Sequence, residues 1–197
     1  LSATVYDDLN APAMLELSLS NWDVEAAKLT WTEGETFGLG RGISISMGFG
    51  SKKSKVFEGE ITGLEPHFPA SGLPSLLVRA HDLGHRLLRG TRTQAFPKQK
   101  DSDIARKIAQ RHRLRFRGKD SKVKHEFVFQ NNQSDWAFIA SRASQIGYMV
   151  RIEGKELLFE PHPYSKTASV NLSFGQSLLS FSPRLSTLRQ VGNTVAR

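Results

Sequence analysis

Hydrophobic and polar residues alternate through most of the first half of the chain. The alternation is clearest in four segments, LELSLSNW, GISISMGF, KVFEGEITGLEP and SLLVRAHD. Their same-face residues are Leu15, Leu17 and Leu19; Ile43, Ile45 and Met47; Phe57, Gly59 and Ile61; and Leu76, Val78 and Ala80. A period of two is typical of half-buried strands, and the Gly- and Pro-rich stretches between them would interrupt a helix. The first half is therefore predicted to form a small barrel or sandwich.

A helical period begins in the second half, at DSDIARKIAQRH. Its apolar face contains Ile104, Ala105, Ile108 and Ala109. Asp101 or Ser102 is predicted to cap this helix, because short polar side chains accept hydrogen bonds from the free N–H groups of a first turn. The basic residues Arg111, His112 and Arg113 suit the negative end of the helix dipole.

The stretch QNNQSDWAFIASRASQIGYMV, residues 130–150, predicts the end of a strand followed by a second helix. Ser134 or Asn132 is placed to cap this helix, and Gly147 is a natural C-terminal stop. The buried face is predicted to contain Trp136, Ile139, Ala143 and Ile146. The polar residues 131–135 are explained by capping alone, without catalysis.

Further strands are predicted around the second helix and up to the end of the chain. They are HEFVFQ, then a hairpin of YMVRIEG and KELLFEP that turns at residues 153–155, then VNLSFG, LLSFSPRLS and QVGNTVA. The two substantial helices are thus predicted near residues 102–112 and 134–146, in a chain that is otherwise rich in strands.

Composition narrows the class of protein. A chain of 197 residues, of which 39% are hydrophobic, can bury a core. No apolar run approaches the roughly 20 residues that cross a bilayer, so no membrane partner is expected. The absence of cysteine excludes disulfides and cysteine-based zinc sites. Because the first residue is a leucine rather than a methionine, a segment upstream of it is expected.

The net charge of +8 is concentrated in one segment. Residues 98–124 contain eleven Lys and Arg against Asp101, Asp103 and Asp120, while the rest of the chain has sixteen charges of each sign. Basic segments of this kind contact phosphates in nucleic-acid-binding proteins. This one contains a single aromatic residue, Phe116, and therefore lacks the spaced rings that stack on bases.

Candidate catalytic and metal-binding residues are few. His81 and His85, with Asp82 beside the first, have the spacing of a helical metal site. However, the residues before them predict a strand, and Gly84 lies inside the motif. GLGRG is not followed by a helix, and no nucleophile-elbow motif is present. We therefore predict no catalytic, cofactor-binding or metal-binding residues, and no enzyme.

The order of these features resembles the phage late control gene D family. The shared segments are LELSLSNWD, FGLGRGISISMGF, VFEGEITGLEPHFP, LLVRAHDLGHRLLRG, DSDIARKIAQ, QNNQSDWAFIASRASQIGY, LLFEP and LLSFSPRLS. The most specific are the F-x-G-x-I-T strand at 57–62, the D-S-D-I-A helix start at 101–105 and the helix entry at 130–138. The family contains tail hub proteins of contractile phages. It is similar to the N-terminal part of the VgrG spike of type VI secretion and of extracellular contractile injection systems.

The resemblance implies a scaffold that is mainly β with an α+β part. Two related β-barrel-like units are expected, bridged by an α/β segment with two short helices. The first unit would be a hub domain at residues 1–90, and the second would cover residues 91–197 and carry both helices. Three chains would close into a pseudo-sixfold ring, the baseplate hub that fits a hexameric tail tube onto a trimeric spike.

The resemblance also implies partners and a location. The expected partners are two further copies of the chain, the tail tube ring, a spike or needle, and baseplate wedge proteins, without cofactors and without nucleic acid. The expected location is the tail of a virion or the baseplate of a contractile injection particle, assembled in the bacterial cytoplasm. VgrG proteins continue into an OB-fold and a needle, so the needle is expected in a continuation of this chain or in a separate one.

Two other classes of function stay open at this point. The first is a basic nucleic-acid-binding module that uses residues 98–124, centred on residues 106–124. The second is an enzyme, such as a peptidoglycan hydrolase joined to a hub, although no constellation of carboxylate or histidine residues supports it.

Overall fold

The computed structural model describes residues 1–8, 11–32, 36–50, 52–163 and 171–183. Within these residues the chain forms ten strands and three helices, and the predicted mainly β class is confirmed. Residues 1–162 form one compact unit and residues 163–197 a second. The predicted division into related units at residue 90 stays a prediction.

Five strands of the first half form one antiparallel sheet. They are β1 (Ser2–Asp8), β2 (Ala11–Ser20), β3 (Gly42–Phe49), β4 (Lys52–His67) and β5 (Ser75–His81). Their order across the sheet is β1-β2-β5-β4-β3, so that β1 and β3 are its two edges. The sheet curls into a half-barrel.

The inner face of this sheet is made of the alternating residues that the sequence predicts, with one exception. Leu15, Phe57 and Ala80 form one buried cluster, and Ile61, Leu76 and Val78 form another. Met47 was predicted to be inside but is 42% exposed. The pairing of β3 with β4 shifts between Ile45 and Ser46, where β4 has the extra residue Val56. Beyond this bulge every described residue of the hairpin is exposed, Met47 included.

Residues 85–161 form the three helices and two small sheets. The elements are α1 (His85–Leu88), β6 (Arg92–Lys100), α2 (Asp101–Arg111), β7 (Arg115–Gly118), β8 (Lys124–Gln133), α3 (Asp135–Gln145), β9 (Tyr148–Glu153) and β10 (Glu156–Pro161). One sheet has the order β7-β10-β9, and the other pairs β6 with β8. The two predicted helices are confirmed as α2 and α3. The single turn α1 was not predicted, because four residues are too few to display a helical period.

Helices α2 and α3 cover the small sheets with their predicted apolar faces. The buried residues are Ile104, Ala105, Ile108 and Ala109 of α2, and Trp136, Ile139 and Ala143 of α3. Ile146 packs against the same core while remaining partly exposed. The ring of Phe96 on β6 stacks on that of Phe138, with 5.6 Å between their centroids. This core therefore joins the two helices to β6.

One predicted helix cap is right and the other is wrong. Ser134 Oγ accepts a hydrogen bond from the backbone N–H of Ala137 at 3.2 Å, and Gly147 has the expected positive φ of 68°. The N-cap of α2 is Lys100, whose side chain makes no capping bond. Asp101 and Ser102 lie inside the first turn instead, and their side chains accept hydrogen bonds from Arg142 and Ser121, far along the chain.

The three strands predicted after residue 163 are not found where the structure describes the chain. Residues 171–183 contain no strand, only a turn with an isolated bridge between Phe174 and Leu178. Gly175, at a φ of 80°, lies inside this turn, so the described parts of VNLSFG and LLSFSPRLS were predicted wrongly. QVGNTVA lies outside the described residues.

Replacing Trp136 with alanine is expected to lower the free energy of unfolding by about 3 to 5 kcal/mol, because a buried ring is lost and a cavity is left. Ser134→Ala is expected to lower it by only about 1 kcal/mol, the usual contribution of a helix cap. Both changes can be measured by urea unfolding monitored by far-UV circular dichroism, because this signal does not rely on the fluorescence of Trp136. Equal and negligible effects would contradict the assignment of this helix face as buried.

Candidate functional site

Asp135 lies in the first turn of α3 and is 3% exposed, and both oxygens of its carboxylate accept hydrogen bonds. It accepts hydrogen bonds from Arg111 Nη1 at 2.8 and 2.9 Å, from His112 Nε2 at 2.8 Å and from Gln130 Nε2 at 3.0 Å. Burial by itself raises the pKa of Asp135, but the bonds from His112, Gln130 and Arg111 outweigh it and lower the pKa to about 2. This carboxyl group is therefore ionised at neutral pH.

A second buried carboxylate, Asp101, lies in the first turn of α2. It accepts hydrogen bonds from Arg142 Nε at 2.6 Å and from His125 Nε2 at 2.9 Å. Arg142 belongs to the last turn of α3, just as Arg111 belongs to the last turn of α2. Each helix start is thus tied to the end of the other helix. Both carboxylates also lie where the helix dipole favours negative charge.

The polar residues 131–135 were predicted to be a helix cap and nothing more. The cap is there, but Gln130 and Asp135 are also buried members of the charged network. One feature of the sequence could have indicated this network: each helix has an aspartate in its first turn and an arginine in its last turn. In an antiparallel pair of helices, each aspartate would lie beside the arginine of the other helix. Sequence spacing alone does not reveal that the two helices pack together.

The segment HDLGH, residues 81–85, joins the sheet to α1. His81 Nδ1 is 2.7 Å from Thr62 Oγ1, while His85 Nδ1 is 2.6 Å from the main-chain oxygen of Asp82. The two rings therefore serve different partners. Over the described part of the chain, no cluster of three or more His, Asp or Glu side chains is arranged to hold a metal ion.

Asp82 fastens this joint to the sheet. Its carboxylate accepts hydrogen bonds from the backbone N–H groups of Ala13 at 2.8 Å and Gly84 at 2.7 Å. Burial raises the pKa of Asp82 to about 6; the two backbone bonds oppose the rise and nearby Asp7 adds to it. A Cβ atom on Gly84 would lie 2.8 Å from Asp82 Oδ1 and 3.2 Å from Ile152. The joint is therefore tightly packed.

A cleft of about 520 Å³ lies beside the joint. Glu60 of β4 and Arg86 of α1 line it and form a two-bond ion pair, in which Arg86 Nε is 3.0 Å from Glu60 Oε2. Residues 42–44 of β3, Arg113 and Lys155 also line it. The pair of Glu60 with Arg86 ties the sheet to the helical half.

The basic segment 98–124 is folded into α2, β7 and the adjoining loops. Five of its cations pair with acids: Lys100 with Asp120, Arg106 with Asp103, Arg111 with Asp135, Arg115 with Glu156, and Arg117 with Glu153. Phe116 is half-buried, and the guanidinium of Arg106 lies 5.0 Å from its ring centroid. The positive charge is therefore partly neutralised, and this ring is not presented for stacking on a base.

Two exposed apolar surfaces stand out from the described chain. Phe49, at the tip of the β3–β4 hairpin, is 97% exposed. On β8 the rings of Phe127 and Phe129 are exposed and stacked, with centroids 6.1 Å apart. Exposed aromatic surfaces of this kind are typical of contacts with other proteins. None of the three helices is long and apolar enough to span a bilayer, as far as the described residues go.

The fold is that of tail proteins. A 43 kDa tail protein of prophage MuSo2 from Shewanella oneidensis superimposes with a TM-score of 0.72 at 15% identity, over 88% of this chain and 53% of that one. A tail protein from Neisseria meningitidis MC58 gives 0.62 at 12% identity, over 90% and 51%. The E. coli c3393 protein, a type VI secretion component similar in structure to T4 tail proteins gp27 and gp5, gives 0.61 at 19% identity, over 81% and 46%.

The chain belongs to the Alg8 N-terminal domain family, whose model matches residues 1–197. It spans about half the length of the tail proteins that it resembles in structure. Comparison with curated proteins found no match. The narrower resemblance to the late control gene D and VgrG families stays a prediction.

Asp135→Asn is expected to lower the free energy of unfolding by about 3 kcal/mol or more at pH 7, because Arg111 and His112 lose a buried ionic partner. The matched control is Asp103→Asn on α2, whose pair with Arg106 is solvent-exposed and is expected to contribute less than about 1 kcal/mol. The free energies of unfolding of the two variants, measured with a chemical denaturant at pH 7 and at pH 3, test the difference between them.

The pH dependence has a definite sign. Because the pKa of Asp135 is lowered from 3.8 to about 2, its stabilisation is present above about pH 4 and is lost as the pH falls towards 2. The difference between wild type and Asp135→Asn should therefore shrink in acid. Equal losses for the Asp135 and Asp103 variants at pH 7 would contradict the account.

Asp82 should act in the opposite direction. Its pKa is raised from 3.8 to about 6, so the folded state binds the carboxyl proton more tightly than the unfolded state does. The protonated carboxyl therefore stabilises the fold below about pH 4, and this stabilisation is lost as the pH rises through 6. Relative to Asp82→Asn, the wild type should lose roughly 2 to 3 kcal/mol between pH 4 and pH 7. Unfolding measured across that range tests this, and a constant difference between the two proteins would refute it.

Proposed function

We propose that this chain is a structural component of the baseplate hub of a contractile phage tail or contractile injection system. In this role three copies form a pseudo-sixfold ring that adapts a hexameric tail tube to a trimeric spike. The observation that carries the proposal is the similarity of the fold to tail proteins over 81% to 90% of this chain.

The chemistry of the molecule supports a scaffold rather than an enzyme. The buried carboxylates Asp101 and Asp135 are each held by an arginine and a histidine, so neither is placed to transfer a proton to a substrate. The carboxyl of Asp82, with its raised pKa, is enclosed by backbone donors. These groups position secondary structure, and the exposed aromatic surfaces are left as the places where partners would bind.

The proposed partners are two further copies of the chain, the tail tube ring, a spike or needle, and baseplate wedge proteins. The proposed place is a virion tail or the baseplate of an injection particle, assembled in the bacterial cytoplasm. Rotational symmetry requires that one surface of each copy match a different surface of its neighbour. The exposed Phe49 and the pair of Phe127 and Phe129 lie on separate strands and offer distinct surfaces to these partners.

The alternative is a nucleic-acid-binding module at residues 98–124. Lys98, Lys107, Lys119, Lys122 and Lys124 are exposed, which is the observation that favours it. Binding to random-sequence DNA between 50 and 200 mM salt separates the two functions, because an interface of several phosphate contacts weakens by roughly a thousandfold or more over this range. The hub proposal predicts no such binding at physiological salt.

Removing this chain from the source particle tests the proposal directly. Cells that lack it should produce no complete tails by negative-stain electron microscopy, because tube growth would have no base on the spike. Supplying the Asp103→Asn chain, in which only an exposed ion pair is lost, should restore complete tails. Complete tails in the absence of the chain would overturn the proposal.

A further inference from the structure

The five-stranded sheet has two edges whose outer backbone groups pair with no strand among the described residues. These edges are β1 and β3, at opposite ends of the order β1-β2-β5-β4-β3. They are similar in length, with seven and eight residues. An exposed edge presents a row of free N–H and C=O groups and readily pairs with a strand of another chain.

The two edges carry opposite charge. Strand β1 ends in the exposed residues Asp7 and Asp8, and residues 1–35 contain seven acids against one lysine. The β3–β4 hairpin carries the exposed residues Lys52 and Lys53 beside its tip, and residues 36–57 contain four cations and no acid. The described residues of this hairpin from 46 to 56 are all exposed, and Lys55 among them pairs with Glu58.

Strand directions fix how two copies would meet. Each of the four neighbouring pairs in the sheet is antiparallel, so β1 and β3 run in the same direction. A rotation about an axis along the strands preserves direction, and β1 of one copy would therefore lie parallel to β3 of the next. In that arrangement the end of β1, with Asp7 and Asp8, lies beside the end of β3, with Phe49 and its neighbours Lys52 and Lys53.

The apolar faces agree with the charges. Ala3 and Val5 of β1 pack partly exposed against one buried cluster, and Ile43 and Ile45 of β3 pack against the same cluster. Both edges thus present their apolar residues on the inner face of the half-barrel. Pairing them between copies would continue that face from one chain to the next and would cover side chains that are half-exposed in a single chain.

We propose that the acidic β1 edge of one copy binds the basic β3–β4 edge of a second copy, head to tail, with Asp7 and Asp8 against Lys52 and Lys53. The contact is heterologous, and it closes into a ring when the rotation between copies closes. This interface rests on the proposed ring and names the surfaces that would form it.

Engineered cysteines test the contact, because the chain has none of its own. Asp8→Cys and Phe49→Cys, at the ends of the two edge strands, are made in separate chains of different tag size, mixed in equal amounts and mildly oxidised. Random collision gives as much disulfide-linked heterodimer as the two homodimers together. The proposed contact predicts a several-fold excess of heterodimer, measured by intact mass or a non-reducing gel. The control pairs Asp8→Cys with Lys107→Cys, an exposed position on α2, and should give the random ratio.

Charge reversal provides the second readout. Adding Lys53→Glu to the Phe49→Cys chain should lower the heterodimer yield several-fold, and adding Asp7→Lys to the other chain should restore it. A random ratio for Asp8→Cys with Phe49→Cys would overturn the proposal. An intrachain disulfide in a chain carrying both cysteines, in preference to links between chains, would also overturn it, since the sheet would then close on itself.

Sedimentation of the unmodified chain separates this interface from the proposed function. If the unmodified chain sediments as a trimer while the Asp8→Cys and Phe49→Cys chains give only the random ratio, the ring stands and these edges are rejected as its contact. If the heterodimer forms in excess but cells that lack the chain still produce complete tails, the contact stands and the hub function is rejected.

Discussion

Two buried carboxylates determine how the helical half of this protein is arranged. An ionised carboxylate buried without partners costs several kcal/mol, so Asp101 and Asp135 are tolerated only where their arginines and histidines are in place. Those partners come from the opposite helix end and from β8, through His125 and Gln130. The pairs are therefore satisfied together only when α2 and α3 lie antiparallel against β8. Apolar packing alone would allow the helices to slide; the paired ends fix their register.

The same logic connects this half to the sheet. Asp82 binds the backbone of β2 and of its own turn, and Arg86 binds Glu60 on β4, so the joint is held to two strands of the sheet. A side chain on Gly84 would collide with Asp82, so this joint requires glycine. The outcome is a helical half bound to the sheet at two strands, with the sheet edges β1 and β3 left open. Such a body suits a component that transmits symmetry from one ring to another.

The sequence predicted those features that depend on local periodicity. Alternation identified the inner face of the sheet, and the helical period identified α2, α3 and the cap at Ser134. It failed where a side chain chooses between a local and a distant partner: Asp101 was assigned as a cap but binds Arg142 of α3. It failed at Met47, because the alternation continues into a part of the β3–β4 hairpin that is exposed on both strands. Outside residues 98–124 the numbers of acidic and basic residues are equal, so the net charge is zero. That total concealed an acidic segment, residues 1–35, followed by a basic one, residues 36–57.

The proposed ring places this chain between the tube and the spike of a contractile particle. Averaged electron images of the intact tail or injection particle, into which the fold of residues 1–162 can be placed, would show its position. We expect three copies around the threefold axis, at the junction of tube and spike, with β1 of each facing β3 of the next. Placement of the chain in the sheath, in a fibre or at any position off that axis would contradict it.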